Sequence, residues 1–259
     1  MAGLDDELTN RKLRALAELA AGAGHEINNP VATISGYVQQ LLAGETDPDR
    51  ILALETIGAQ ALRIRDMIGD LMLFARPPQP RPVPCDLVAA AHEVRTALSD
   101  RASDQQVDLR LVQGPATLPI VADATQLRVL LSALVSNAVE ATPAGGRVVL
   151  EVGQFVDGGA RQARFTVTDT GRGLSDLERE HLFDPFFSGR QAGRGLGFGL
   201  AKAWRIATLH AASLRVATPP GGGVVWTLLW PLQGDLHDQL TTATDRHLHP
   251  QPRAAGFSG

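Results

Sequence analysis

Gly22-Ala23-Gly24-His25-Glu26-Ile27-Asn28-Asn29-Pro30 is the stretch whose reading decides the fold, because two glycines and a proline sit inside a helix-periodic run. Apolar or small residues recur through it at Leu13, Ala17, Ala20, Gly24, Ile27, Val31, Ile34, Val38 and Leu41, in alternating steps of four and three. That period is the seam of a helix packed on other helices. Glycine inside a helix costs about 1 kcal/mol and proline about 3 kcal/mol, so helix stability has been given up here. Pro30 removes the hydrogen bond to the Glu26 carbonyl and predicts a bend beside His25. His25 falls at the edge of the seam, where an imidazole reaches solvent. Asn29 is on the same face four residues on, and Glu26 is a third of a turn round. One reading is a surface histidine. The other is a nucleophile with a base and a water-positioning amide: Glu26 holding the proton on Nδ1 leaves Nε2 free to attack.

Outward from this stretch, Gly44-Glu45-Thr46-Asp47-Pro48 interrupts the period, with Asp47 as an N-cap and Pro48 at the first helical position. A second seam follows at Leu54, Ile57, Ala61, Ile64, Ile68, Leu71 and Ala75, so residues 1–76 read as an antiparallel helical hairpin. One apolar stripe per helix, with no third helix to cover it, predicts two hairpins joined in a dimeric four-helix bundle, hence a homodimer. Pro77, Pro78, Pro80, Pro82 and Pro84 make residues 77–84 a stiff linker. Beyond it, helix-like segments at 88–100 and 124–141 alternate with β-branched runs at 147–152, 163–168 and 224–229. This predicts a second, α+β sandwich domain over 85–232. Periodicity then stops, and 233–259 reads as a disordered tail whose His237, His247 and His249 are either solvated or metal-binding.

Bulk properties narrow the class. A formal net charge of -4 over 259 residues, from 24 basic and 28 acidic side chains, offers no footprint for nucleic acid or an acidic membrane. A lone cysteine, Cys85, forms no internal disulfide and fits a reducing compartment. No apolar run is long enough to span a bilayer and the start lacks a signal-peptide core, so the expectation is a cytoplasmic protein with no membrane segment of its own.

Four features of the second domain carry chemistry. Asn137 lies in the apolar helix-like run Leu130-Leu131-Ser132-Ala133-Leu134-Val135-Ser136-Asn137-Ala138, where an amide either caps or binds, and its oxygen is a hard ligand suited to Mg²⁺. Asp169-Thr170-Gly171-Arg172-Gly173 follows the strand-like Phe165-Thr166-Val167-Thr168; it is either a tight turn or a carboxylate beside a backbone close enough to meet a flat base. Leu182-Phe183-Asp184-Pro185-Phe186-Phe187 resembles a hydrophobic latch at the base of a loop. Gly193-Arg194-Gly195-Leu196-Gly197-Phe198-Gly199 places glycine at every second position before a helix-like run, a loop whose backbone amides suit phosphates. The dinucleotide and Walker glycine motifs fail on context.

In this order the five features resemble the H, N, G1, F and G2 boxes of two-component sensor histidine kinases, over roughly residues 10–231, and the His-Glu-Ile-Asn-Asn-Pro form resembles that family's nitrogen-regulation branch. The resemblance implies a dimerisation and phosphotransfer hairpin followed by a Bergerat-type ATP-binding domain. It implies His25 as phosphoacceptor, Glu26 as its activating base and Asn29 as the group that positions water when a response regulator is dephosphorylated. Asn137 would hold Mg²⁺, Asp169 would read the adenine amino group, and Gly171 and Gly173 would shape the base pocket. Gly195, Gly197 and Gly199 would cradle the phosphates of ATP, Phe186 and Phe187 would anchor a lid, and Arg190 and Arg194 would offset phosphate charge. Ala133 departs from the second amide or acid that many relatives carry one turn before Asn137, which leaves open a dimeric, nucleotide-binding scaffold without phosphotransfer. Few residues precede the first helix, so the expected input is a separate sensor partner, a ligand on the catalytic core, or a portion of the protein beyond this sequence.

Overall fold

A computed structural model describes residues 24, 26–75, 77–112, 114–157, 160–184, 187 and 197–232. The described chain falls into two compact units, the first made of residues through Gln79 together with Leu174–Ile206, the second of Pro80–Gly173 with the residues from Ala207 onward. The expected boundary ran straight from hairpin to sandwich, whereas 174–206 groups with the hairpin.

In the first unit, α1 spans residues 26–42 and α2 spans Pro48–Ala75. Asp47 begins α2 as expected, its Oδ1 accepting from the Asp49 amide at 2.9 Å and the Arg50 amide at 3.5 Å. Helix α1 runs on through Pro30. A Cβ on Gly24 would come within 2.7 Å of Met72 Sδ, and one on Gly58 within 3.2 Å of Val38 Cγ1. The two pairs have the same residue-number sum, the register of antiparallel helices. The seam is divided: Gly24, Val31 and Val38 are buried against α2's side of the hairpin, while Ile34, Leu41, Ile57 and Ile64 are exposed.

The second unit opens with β1 (Val83–Asp86), two residues inside the stretch expected as linker, and β1 pairs antiparallel with β3 (Pro119–Ala122). Helices α3 (Leu87–Ala97) and α4 (Ser99–Asp104) replace the single helix expected over 88–100, and β2 is Asp108–Leu111. Helix α5 (Ala124–Ala141) starts on Asp123, whose side chain accepts from the Thr125 and Gln126 amides. Strands β4 (Arg147–Asp157), β5 (Ala160–Asp169), β6 (Ser213–Ala217) and β7 (Val225–Pro231) complete a five-stranded sheet ordered β2-β4-β5-β7-β6. Only the β2–β4 pairing is parallel, so the sheet is mixed. Helices α3 and α5 pack on one face of it. That face buries Val148, Leu150, Phe165, Val167, Trp226, Leu228 and Trp230 against Leu127, Leu130, Leu131 and Leu134 of α5. Among the described residues the other helices are α6 (Asp176–Glu180), in the first unit and begun by a Ser175–Glu178 capping box, and α7 (Gly199–Leu209), which runs from the first unit into the second.

Candidate functional site

The period of two along β5 places Asp169 on the same face as Phe165 and Val167, so the strand delivers a carboxylate to the side covered by helices. Asp169 is 4% exposed. Its Oδ1 accepts from the Gly171 amide at 2.8 Å and the Val224 amide at 3.1 Å. Its Oδ2 is buried with no hydrogen-bond partner among the described residues. Burial pushes the carboxyl above its ordinary pKa, opposed by the two backbone donors. A buried acceptor of this kind is costly unless a further donor reaches it.

The backbone round it is drawn close. A Cβ on Gly171 would meet Ala141 O at 2.6 Å and Asp169 Oδ1 at 2.9 Å, so this turn sits against the end of α5, one helical turn beyond Asn137. Gly173 has φ +81°, and a Cβ there would meet Thr218 Cγ2 at 2.9 Å. Gly223, with φ +76°, donates from its amide to Gly171 O at 2.7 Å, and a Cβ on it would lie 2.1 Å from Asp169 O. Only glycine fits there. Asn137 is half-buried on α5. The second unit therefore brings Asn137, Asp169, Gly171 and Gly173 to one end of α5 and β5.

In the first unit, Gly197 has φ +72°, and a Cβ would lie 2.1 Å from Phe187 O; Gly199 opens α7. The Phe187 ring lies 5.2 Å from the His181 ring, whose Nδ1 is 2.8 Å from Asp184 Oδ2. Phe183 stacks on Trp204 at 6.2 Å. Of the aromatic segment, Phe183 and Phe187 are thus packed against Trp204 and His181. Glu26 and Asn29 are both exposed on α1. His25, Phe186, Arg190, Arg194 and Gly195, with the histidines of the tail, lie outside the described residues.

Sequence reasoning missed Gly223 and Val224, which hold one side of the Asp169 pocket. The signal was present in Gly221-Gly222-Gly223, three glycines directly before a β-branched run. Among the described residues no group of three or more His, Cys, Asp or Glu side chains could hold a metal ion, and no helix is long and apolar enough to cross a membrane.

Residues 15–80 match the family model of the His Kinase A (phospho-acceptor) domain, and residues 122–234 that of the histidine kinase-, DNA gyrase B- and HSP90-like ATPases. The chain is 32% identical to the signal transduction histidine-protein kinase AtoS of Escherichia coli (strain K12) over 85% of its own length and 36% of AtoS. It is 30% identical to the sensor histidine kinase ZraS of Klebsiella oxytoca over 88% of its length and 48% of ZraS. It thus spans half or less of either relative. Among solved structures, full-length ShkA in complex with AMPPNP superposes with a TM-score of 0.71 at 26% identity, covering 83% of this chain and 45% of that one. The ThkA–TrrA response-regulator complex shares the fold with a TM-score of 0.60 at 20% identity, over 91% of this chain and 67% of that one. Matches to the phospho-acceptor and ATPase family models in one chain, in this order and with these relatives, make it a member of the two-component sensor histidine kinases.

Proposed function

We propose that the chain is an ATP-dependent protein histidine kinase that phosphorylates His25 and passes the phosphoryl group to an aspartate of a response-regulator receiver domain. The observation that carries this is Asp169: a buried carboxylate with one oxygen held by two backbone amides and the other without a partner among the described residues. The exocyclic amino group of adenine is the donor such an acceptor lacks, and a glycine-lined backbone admits a flat ring.

In this reading residues 1–76 are the dimerisation and phosphotransfer domain, 77–84 the linker, 85–232 the ATP-binding domain and 233–259 a tail. Gly171 and Gly173 shape the base pocket; Gly195, Gly197 and Gly199 cradle the phosphates, with Arg190 and Arg194 offsetting their charge and Phe186 and Phe187 anchoring the lid. Asn137 supplies the hard amide oxygen for Mg²⁺. That fits an ion that keeps waters and phosphate oxygens as its other ligands and needs no carboxylate cage. When bound, the ion offsets phosphate charge. His25 Nε2 attacks the γ-phosphorus as the bond to the β,γ-bridging oxygen breaks and ADP leaves, while Glu26 keeps the ring proton on Nδ1. Asn29 positions water when the regulator is dephosphorylated. The exposed stripe of Ile34, Leu41, Ile57 and Ile64 supports a homodimer, and no nucleic-acid partner and a cytoplasmic location belong to the same proposal.

Incubation with γ-labelled ATP and Mg²⁺ tests it. Acid-labile, base-stable label is expected on the wild type and none on His25→Ala, followed by transfer to a receiver domain. Label persisting undiminished in His25→Ala would overturn the assignment; nucleotide binding with no label on the wild type would favour the scaffold reading that Ala133 raised. Sedimentation of Ile57→Glu, expected to shift dimer toward monomer, tests the assembly.

A further inference from the structure

Arg101, on the short α4, reaches across to the C-terminal part of α5. Its Nη1 donates to Ser136 Oγ at 2.6 Å, its Nη2 is ion-paired with Glu140, and Ser136 Oγ lies 3.1 Å from Glu140 Oε1. On α5, Ala133, Asn137 and Glu140 follow one another at helical spacings of four and three, so they share a face, with Ser136 at its border. Glu140 thus places a carboxylate one turn from the amide proposed to meet metal and phosphate. Left alone it would repel a polyphosphate and compete for the cation.

We infer that Arg101 is a positioning residue for nucleotide phosphates: it cancels the Glu140 charge and ties that carboxylate to the Ser136 side of α5. An arginine suits the task, because its planar fork engages the hydroxyl and the carboxylate together where a lysine would supply only a point charge. The small side chain of Ala133 leaves Asn137 as the amide of that face, so affinity depends on what is done with Glu140. The inference rests on the reading that Asn137 faces the phosphates.

The test is equilibrium binding of ATP and of adenosine, each with Mg²⁺, by competition against a fluorescent ATP analogue, for wild type, Arg101→Ala, Arg101→Lys, Glu140→Gln and the Arg101→Ala/Glu140→Gln double variant. Arg101→Ala is expected to weaken ATP about three- to tenfold, the size of one uncompensated charge near the phosphates. Glu140→Gln alone and the double variant should bind ATP within about twofold of wild type, with Arg101→Lys in between. Adenosine, which has no phosphate, should bind all five alike. Because the pair is only part-buried, with the Arg101 side chain 44% and that of Glu140 22% exposed, melting temperatures should stay within a few degrees of wild type, so every variant can be compared folded. Unchanged ATP affinity in Arg101→Ala overturns the inference, as does a double variant as weak as Arg101→Ala, or an equal loss for adenosine. A wild type that binds neither ligand overturns the ATP-site reading and the inference with it, a result distinct from tight wild-type binding with an indifferent Arg101→Ala.

Discussion

Lys202 on α7 is ion-paired with Asp70 on α2, and four residues along each segment Phe198, just ahead of α7, meets Phe74 with ring centroids 6.3 Å apart. The two contacts run in opposite chain directions, Asp70 to Phe74 and Lys202 to Phe198, as an antiparallel helix contact requires. Both rings are almost fully buried, so the charge pair borders an apolar plug. The partners are unequal: the Lys202 side chain is 15% exposed and that of Asp70 37%.

That inequality sets the first prediction. Asp70→Ala strands an ammonium with little access to water and should cost about 1–2 kcal/mol, between the values for surface and buried pairs. Lys202→Ala leaves a carboxylate that water still reaches and should cost less than about 1 kcal/mol. Urea unfolding of both single variants and the double variant measures this, with a coupling of about 0.5–1.5 kcal/mol expected. Equal costs for the two single variants would contradict the exposure argument.

Gly223 should prove as necessary to the pocket as the glycines that sequence reasoning singled out. An added methyl would lie 2.1 Å from Asp169 O, at a φ of +76° that L-residues rarely adopt. Gly223→Ala should therefore cost at least about 2 kcal/mol and displace the Val224 amide from Asp169 Oδ1, with loss of nucleotide binding. Gly221→Ala is the control: nothing lies within 4 Å of its added methyl, so thermal melts should move by less than about 0.5 kcal/mol.

What was legible in the sequence follows from how local each signal is. The hairpin was readable because a seam period and a capped break at Asp47-Pro48 are each written within a few residues, and α5 because eighteen residues carry one apolar face. Asp169 and Asn137 stood out as polar residues ending or interrupting apolar runs. The four-residue strands β1, β2 and β3 are too short to show a period, and β1 was hidden because its Val83 and Pro84 sit in a proline-rich run. Gly223 and Val224 reach Asp169 across more than fifty residues of chain, a pairing set by the β5–β7 register rather than by any local pattern. Arg101 was invisible for the same reason, since its partners Ser136 and Glu140 lie more than thirty residues along the chain. The divided seam explains why one periodicity pointed both to a hairpin and to a dimer: among its described residues Val31, Val38, Ala61 and Leu71 are buried, while Ile34, Leu41, Ile57 and Ile64 are left exposed.

Replacing Asp169 by asparagine separates binding from stability. The side-chain oxygen can still accept from the Gly171 and Val224 amides, but an amide donor then occupies the place of Oδ2 and faces the adenine amino group, donor to donor. ATP affinity should fall about 100-fold, the worth of a charge-assisted hydrogen bond replaced by a mismatch. Stability should move the other way. Burial raises the folded carboxyl above its ordinary value of 3.8, so the folded state binds the proton more tightly, and wild type is penalised above that raised value. Ligand-free Asp169→Asn should be the more stable protein at pH 7, and its advantage should shrink as pH falls toward 3.8. Melting curves across that range decide it, and a constant difference would mean that the carboxyl is not titrating differently in the two states.

His210 carries the opposite sign. It lies between α7 and β6, its ring 4.8 Å from Trp230 and its Nε2 3.1 Å from the Gln126 side-chain oxygen. That acceptor places the proton on Nε2 of the neutral ring. Burial lowers its pKa below 6.5, partly offset by the nearby Asp123 carboxylate, whose own pKa is held down by the Gln126 and Arg81 amides. Because the unfolded histidine takes up its proton first, stability is fully present above pH 6.5 and declines as pH falls toward the lowered folded value. His210→Phe keeps a ring against Trp230 and gives up the bond to Gln126, which should cost about 1 kcal/mol at pH 8. The variant lacks this acid-sensitive group, so its deficit should narrow between pH 6.5 and 5. Thermal unfolding of both proteins at pH 8, 6.5 and 5 measures the gap, and parallel curves would show that the buried imidazole is not what acid attacks.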